Sequence, residues 1–141
     1  MPTPADVKKA LQAAGFEIYR TRGDVVHVAE RVRENLLMDS GVFLEAQALV
    51  VGFVVRAQKT DFPHDGDDAL FERARRLGAA AVGRGYTEAS AEIRTVVDPG
   101  DAGRAIDRWC EVAYKKPAAA LDAAIEEIRF ALTLEKAAAP S

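Results

Sequence analysis

The sequence predicts an α+β fold in which helices cover a mainly antiparallel sheet of four to five strands, in the order α-β-β-β-α-β-(β)-α. Residues 42–58, VFLEAQALVVGFVVRAQ, contain the strand expected at the centre of the sheet. Their second half, LVVGFVVRAQ, is apolar on both faces and rich in β-branched side chains, which is typical of such a strand. Apolar residues recur at helical spacing in 7–14, 70–82 and 121–132. Residues 86–97 alternate between small or apolar and charged side chains, as in a strand with one wet face.

The chain is long enough for one core and has the composition of a globular protein. It contains 141 residues, 49% of them apolar and 29% charged, which suits one domain of ordinary size. No internal repeat or linker divides it. We therefore expect a single domain over residues 1–136, followed by a disordered tail at 137–141, AAAPS.

The first helix has clear signals at both ends. Thr3 can cap it, Pro4 suits the first helical position, and Asp6 can complete a capping box. Gly15 is a stop signal. Residues 16–21 then predict a strand, and the following Arg-Gly-Asp tripeptide predicts a turn, because glycine permits a positive φ.

Residues 25–38 fit two structures. Partial alternation of valines with polar side chains favours a strand over 25–29. The segment 29–38, AERVRENLLM, is rich in helix-forming residues, so the state of 31–38 stays open. Asp-Ser-Gly at 39–41 predicts a turn before the central strand.

The second half begins with a polar loop at 59–68, one of whose aspartates is expected to cap the next helix. Residues 83–85 end that helix, and Asp-Pro-Gly-Asp at 98–101 predicts a turn. Residues 104–116 fit either a helical stripe or a strand that pairs back onto 86–97. Pro117 opens the last helix.

Charge and cysteine content disfavour several classes of protein. The net charge is −3 and the basic residues are scattered, whereas nucleic-acid-binding proteins usually carry a clustered basic excess. No apolar run approaches the ~20 residues of a membrane span. The single cysteine excludes an internal disulfide, and we expect a cytoplasmic protein. The high alanine and arginine content suggests a GC-rich bacterial genome.

The acidic loop at 61–72 partly matches a calcium-binding EF-hand loop. Its candidate ligands are Asp61, Asp65, Asp67 and Glu72. Proline stands at the third position, where Asp or Asn belongs, and a strand rather than a helix is expected before the loop. We expect a solvated loop here, and keep a small enzyme or metal-dependent domain that uses this loop as the alternative function.

No arrangement for nucleophilic catalysis stands out. The two histidines, His27 and His64, show no spacing that suggests convergence with a nucleophile. Cys110 has an acidic neighbour, which disfavours a thiolate, so a buried and inert cysteine is expected. No cofactor is expected.

The apolar surface of the C-terminal part suggests an interface. The apolar face of the last helix is broad and can exceed what one intramolecular contact covers. Aromatic residues on sheet elements can anchor interfaces when they are exposed. The interface candidates are Trp109, Tyr114, Ile128, Phe130 and Leu134.

The element order, size and acidity resemble those of the type III secretion chaperone-like fold, including the YbjN family. The resemblance covers most of the chain. It implies a small, acidic, cytoplasmic α+β protein that forms a homodimer and binds another protein. The charge balance and the lack of a long apolar run separately predict no role for nucleic acid or membrane. No motif of the family is present residue for residue, so it assigns no functional residues. The predicted function is a non-enzymatic protein-binding or chaperone-like module.

Overall fold

The structure is a computed structural model that describes residues 2–140. These residues form three helices and six strands. In chain order the elements are α1 Pro4–Ala13, β1 Ile18–Arg22, β2 Val25–Arg33, β3 Leu36–Glu45, β4 Val50–Gln58, α2 Asp67–Val82, β5 Thr87–Asp98, β6 Asp101–Pro117 and α3 Leu121–Thr133. The strands form an open antiparallel sheet in the order β1-β2-β3-β4-β6-β5.

The α+β class and the central position of β4 are confirmed, but the predicted number of strands is wrong. The sheet has six strands where the sequence predicts four to five. Both ambiguous segments are extended: residues 25–38 form most of the β2–β3 hairpin, and residues 104–116 lie in β6. Pairing between strands here overrides helix propensity, which is a weak local preference.

The predicted turn at residues 39–41 is wrong, because this segment lies inside β3. His27 pairs with Phe43 and Ala29 pairs with Asp39, so β3 uses two more residues than β2 between these pairs. The glycine of the segment has φ of 83°. The turn-forming residues therefore build a β-bulge that bends the strand without ending it.

The chain divides into two compact units. The first unit contains the chain up to Phe53 together with Lys115–Thr133. Within it α1 packs on β1 and β2, and α3 packs on β3. The capping box of α1 is confirmed: the Asp6 amide donates to Thr3 Oγ1 at 3.1 Å, and the Thr3 amide donates to Asp6 Oδ2 at 3.2 Å.

The core of the first unit is aliphatic apart from one phenylalanine. Side chains from the sheet meet side chains from both helices, and each of those that follow is 0% exposed. They are Val7, Leu11, Val26, Val28, Val42, Leu44, Val51, Phe53 and Ile128.

The second unit contains Val54–Tyr114 and the chain from Leu134 onward. Its core cluster contains Ala57, Phe62, Leu70 and Cys110. The ring of Tyr114 lies directly on α2 at Gly78, where an added Cβ would come within 2.4 Å of it. Glycine is therefore needed inside this helix, despite its low helix propensity, for close approach of the strand.

The last residues of the second unit pair with β4. The amide of Arg56 donates to the carbonyl of Lys136 at 2.8 Å, and the amide of Ala138 donates to the carbonyl of Arg56 at 2.9 Å. Ala137 and Ala138 belong to the segment 137–141 for which the sequence predicts a disordered tail. Within residues 2–140, none of the three helices has the length and apolar character needed to cross a membrane.

Candidate interaction surface

The acidic loop does not direct its carboxylates to one point. Asp65 Oδ2 lies 2.5 Å from Arg73 Nε, and Asp67 Oδ2 lies 2.7 Å from Arg108 Nη2. Glu72 instead faces Arg76, at 3.8 Å. Among residues 2–140, no group of three or more His, Cys, Asp or Glu side chains is placed to hold a metal ion.

The expected aspartate cap of α2 is wrong. Gly66 occupies the N-cap position and no side chain accepts a hydrogen bond there. Asp67, the first helical residue, binds Arg108 on β6 through two hydrogen bonds of 2.7 and 3.2 Å. This bond to the guanidinium lowers the pKa of Asp67 below its usual range. Its carboxylate also lies at the positive end of the helix dipole.

Calcium is expected to leave the melting temperature unchanged. A calcium ion needs several convergent oxygens, and here Asp65 and Asp67 would first have to leave their separate arginines. The test is thermal unfolding with micromolar calcium and with a chelator. A rise of several degrees that Asp61→Ala abolishes would contradict this expectation and support the metal-dependent alternative.

Cys110 is placed as a core residue. Its side chain is 0% exposed, and Sγ lies 3.6 Å from the carbonyl oxygen of Asp67. Burial, and then the nearby carboxylate of Asp67, raise the pKa of the thiol above its usual value. The thiolate needed for nucleophilic attack or metal binding is therefore disfavoured.

His27 lies on β2 in the first unit. Its Nδ1 is 3.7 Å from Asp39 Oδ2, and its ring centroid is 6.0 Å from that of Phe43. Burial lowers the pKa of His27 below its usual value, although the charge of Asp39 acts in the opposite direction. The neutral imidazole is favoured, as for a histidine that packs against an aromatic ring at the edge of a core.

Two of the five residues predicted for an interface lie in the interior of the chain. Tyr114 is 2% exposed and Ile128 is 0% exposed, so neither offers a surface to a partner. Trp109, Phe130 and Leu134 are half-buried. The broad apolar face of α3 is used within the first unit, where the helix packs on β3.

The exposed apolar side chains lie mainly on two hairpins. In the first unit they belong to the β1–β3 strands: Tyr19, Val32, Leu36 and Met38. In the second unit they belong to β5 and β6: Ile93, Val96, Val97 and Ile106. Outside these strands, Val82 at the end of α2 is also exposed, at 53%. Large apolar side chains that are grouped on a surface mark interaction sites more often than single ones do.

The outer ribbon, defined as β5 together with Asp101–Ile106 of β6, is exposed almost throughout. The predicted strand at 86–97 is confirmed, but its second face is not covered: all of β5 except Asp98 is exposed. Residue alternation identifies the strand, yet gives no signal that the chain leaves both of its faces open.

The two faces of the outer ribbon differ in chemistry. Arg108 Nη1 donates to Thr95 Oγ1 at 3.3 Å, which places these side chains on one face. Since alternate residues share a face, Ile93 and Val97 lie with Thr95, and Ile106 lies with Arg108. This face is therefore apolar along most of its length.

The opposite face carries the charged side chains of Glu92 and Arg94, together with the exposed Val96. Arg94 binds Glu111 on β6 at 2.7 Å and Glu92 on its own strand at 2.5 Å. The indole of Trp109 donates to Glu111 at 3.2 Å, so this predicted interface residue borders the same cluster. Arg94 takes part in both ion pairs with its side chain about half exposed, at 53%.

The strand order places β5 at the end of the sheet. Among residues 2–140, one long side of β5 therefore has no neighbouring strand, over 12 residues that include no proline. Long edge strands of this kind pair with other chains unless charge, proline, bulges or covering segments prevent it.

Comparison with protein-family models, curated proteins and solved structures gives no match to this chain.

Proposed function

We propose that this chain is a non-enzymatic, homodimeric protein-binding module of the chaperone-like kind. One observation carries the proposal: the large apolar side chains that the described residues expose are concentrated on two strand hairpins, with few elsewhere. A monomer with two such surfaces would be prone to aggregation. Contact with other protein chains is the physical use that fits exposed strands bearing apolar side chains.

The element order also supports a chaperone-like role. A helix at residues 104–116 would weaken the resemblance to type III secretion chaperone-like proteins, and these residues lie in β6. Fold likeness alone does not assign function, so the proposal depends on the exposed surfaces.

Each hairpin has its own role in this proposal. The outer ribbon joins two copies of the chain. The hairpin β2–β3 receives another protein, because Leu36 and Met38 lie two residues apart on one face of β3 and Met38 is 50% exposed. Flexible methionine side chains adapt to varied apolar partners.

The proposal predicts that Met38→Asp abolishes capture of a host protein by the immobilised chain. An aspartate at this exposed position disrupts an apolar contact without burying a charge in the core. The measurement is affinity capture from a lysate of the host, with captured proteins identified by mass spectrometry. Val82→Asp is the matched control, since Val82 is 53% exposed on α2 and belongs to neither hairpin.

The expected result is a protein that wild type and Val82→Asp retain and that Met38→Asp loses, with all three baits folded and of equal oligomeric mass. Equal retention by Met38→Asp would contradict a binding role for the hairpin. If every protein that the wild-type bait captured were captured to the same extent by Val82→Asp and by Met38→Asp, the protein-binding proposal would be removed.

A further inference from the structure

We infer that β5 pairs antiparallel with β5 of a second copy of this chain, about a two-fold axis at Ile93. The inference deepens the proposed function by naming the surface and register of the homodimer, and it depends on that proposal. It starts from the position of β5 at the end of the strand order, where its backbone N–H and C=O groups can continue the sheet. Pairing of this strand with the same strand of a second copy, about a two-fold axis, is the simplest way to cover such an edge in a closed dimer.

The sequence of β5, TEASAEIRTVVD, is complementary to itself in this register. With Ile93 opposite Ile93 of the second copy, Glu92 of each chain lies opposite Arg94 of the other. Directly opposite charges of unlike sign stabilise a cross-strand pair. On the other face, small and apolar residues meet in the same way: Ala91 with Thr95, and Ala89 with Val97.

Neighbouring registers lose this complementarity. A two-fold axis at Glu92 or at Arg94 puts two like charges directly opposite each other, which is destabilising. An axis between two residues shifts the register by one and sets the apolar face of one strand against the charged face of the other. Glu92 and Arg94 flank Ile93 symmetrically, so they favour the Ile93 axis.

The register leaves one like-charged pair, Glu88 opposite Asp98, at each end of the contact. Both carboxylates already have cationic partners in the chain. Glu88 binds Arg75 at 2.8 Å, and Asp98 lies 4.0 Å from Arg104. These cationic partners reduce the repulsion at the two ends of the contact.

The side chains of the charged cluster are accessible to the second copy. Arg94 is 53% exposed and Glu92 is 48% exposed, although both take part in ion pairs. A guanidinium has five donors, so Arg94 can bind Glu92 of the second copy while it keeps Glu111. Apolar surface on the other face is buried at the same time, because Ile93, which is 44% exposed in one chain, contacts Ile93 of the second copy.

Cysteine cross-linking tests the axis. Directly opposed residues of antiparallel strands have Cα atoms about 4.5–5.5 Å apart, which is within the range for a disulfide. Ile93→Cys is therefore expected to form a disulfide-linked dimer under mild oxidation. Thr95→Cys is the matched control: in this register its two copies lie about 13 Å apart and stay unlinked. Thr95→Cys mixed with Ala91→Cys is expected to cross-link.

Charge exchange tests the register independently. Glu92→Arg places two arginines opposite each other in the homodimer, and Arg94→Glu places two glutamates there. Each variant alone is expected to run at the mass of one chain, half that of the wild type. Their mixture restores both attractive pairs and is expected to form a heterodimer, measured by native mass spectrometry. Melting temperatures of the separate variants establish that both are folded.

The outcomes separate this inference from the proposed function. Two kinds of result would overturn the register and leave a homodimeric binding module with another interface. One is a wild-type dimer whose Ile93→Cys variant does not cross-link. The other is a pair of folded charge variants that stay dimeric alone or stay monomeric when mixed. A wild-type monomer would overturn the dimer in both proposals. A cross-linked Thr95→Cys homodimer would show that β5 pairs in a different register.

Discussion

Replacement of Val51 by aspartate is expected to lower the free energy of unfolding by about 5–7 kcal/mol, combining an uncompensated buried charge with lost apolar burial. Val51 is 0% exposed and pairs with Leu44, which is also 0% exposed. A loss of this size is comparable to the total stability of about 5–15 kcal/mol of a typical domain. The variant should be largely unfolded at neutral pH.

Acid should reduce the defect of Val51→Asp relative to wild type. Burial raises the pKa of the folded-state carboxyl above its unfolded value of about 3.9. The folded variant then binds a proton more readily than the unfolded chain, so the defect is full above the folded pKa and decreases as pH falls through it. Denaturant unfolding at several pH values measures this difference.

Val54→Asp is the matched control for the aspartate substitution. Val54 lies on the other face of β4 and is half-exposed, so an aspartate there keeps part of its hydration. A Val51→Asp protein that melts at the wild-type temperature would contradict the burial of this face of β4. Equal losses in the free energy of unfolding for Val51→Asp and Val54→Asp would show that both faces of β4 are buried.

Truncation of Phe53 to alanine is expected to lower the free energy of unfolding by about 3–5 kcal/mol, the range for a buried aromatic side chain. Phe53 is 0% exposed and shares the first unit's core with α1 and α3 side chains. Removal of the ring leaves a cavity that the neighbouring aliphatic side chains can fill only in part. Urea unfolding monitored by circular dichroism measures the loss.

Phe43→Ala controls for aromatic truncation on the opposite face of the sheet. Phe43 is half-buried and its ring covers Gly52, where an added Cβ would lie 2.2 Å from it. Its truncation should cost about 1–2 kcal/mol, since only part of its surface is removed from water. A larger loss for Phe43 than for Phe53 would contradict the assignment of the buried face.

Local signals in the sequence predict the elements whose ends are chemically marked. Thr3 and Asp6 form the capping box that the sequence predicts, and Gly15 has φ of 95° just after α1. The apolar run that predicts a central strand is β4, which lies inside the sheet. The coverage of both its faces that the run also predicts is wrong, because Val54 is half-exposed and Arg56 is exposed.

Properties that depend on pairing partners could not be predicted in the same way. The Asp-Ser-Gly segment has the composition of a turn, yet the pairing of β3 with β2 makes it a bulge. The burial of Ile128 within the chain could not be predicted, because the helical periodicity shows an apolar face but not what covers it. For the outer ribbon the burial prediction is wrong in the other direction. The alternation of β5 predicts one covered face, and the fold leaves that face exposed.

The mass of the wild-type chain in solution tests the central claim most directly. Light scattering coupled to size exclusion, repeated over a dilution series, is the measurement. A homodimer predicts twice the 15.2 kDa of one chain at high concentration, with return to the single mass on dilution or in Glu92→Arg. A mass of 15.2 kDa for the folded wild type at every concentration would contradict the dimer and the pairing of β5 with it.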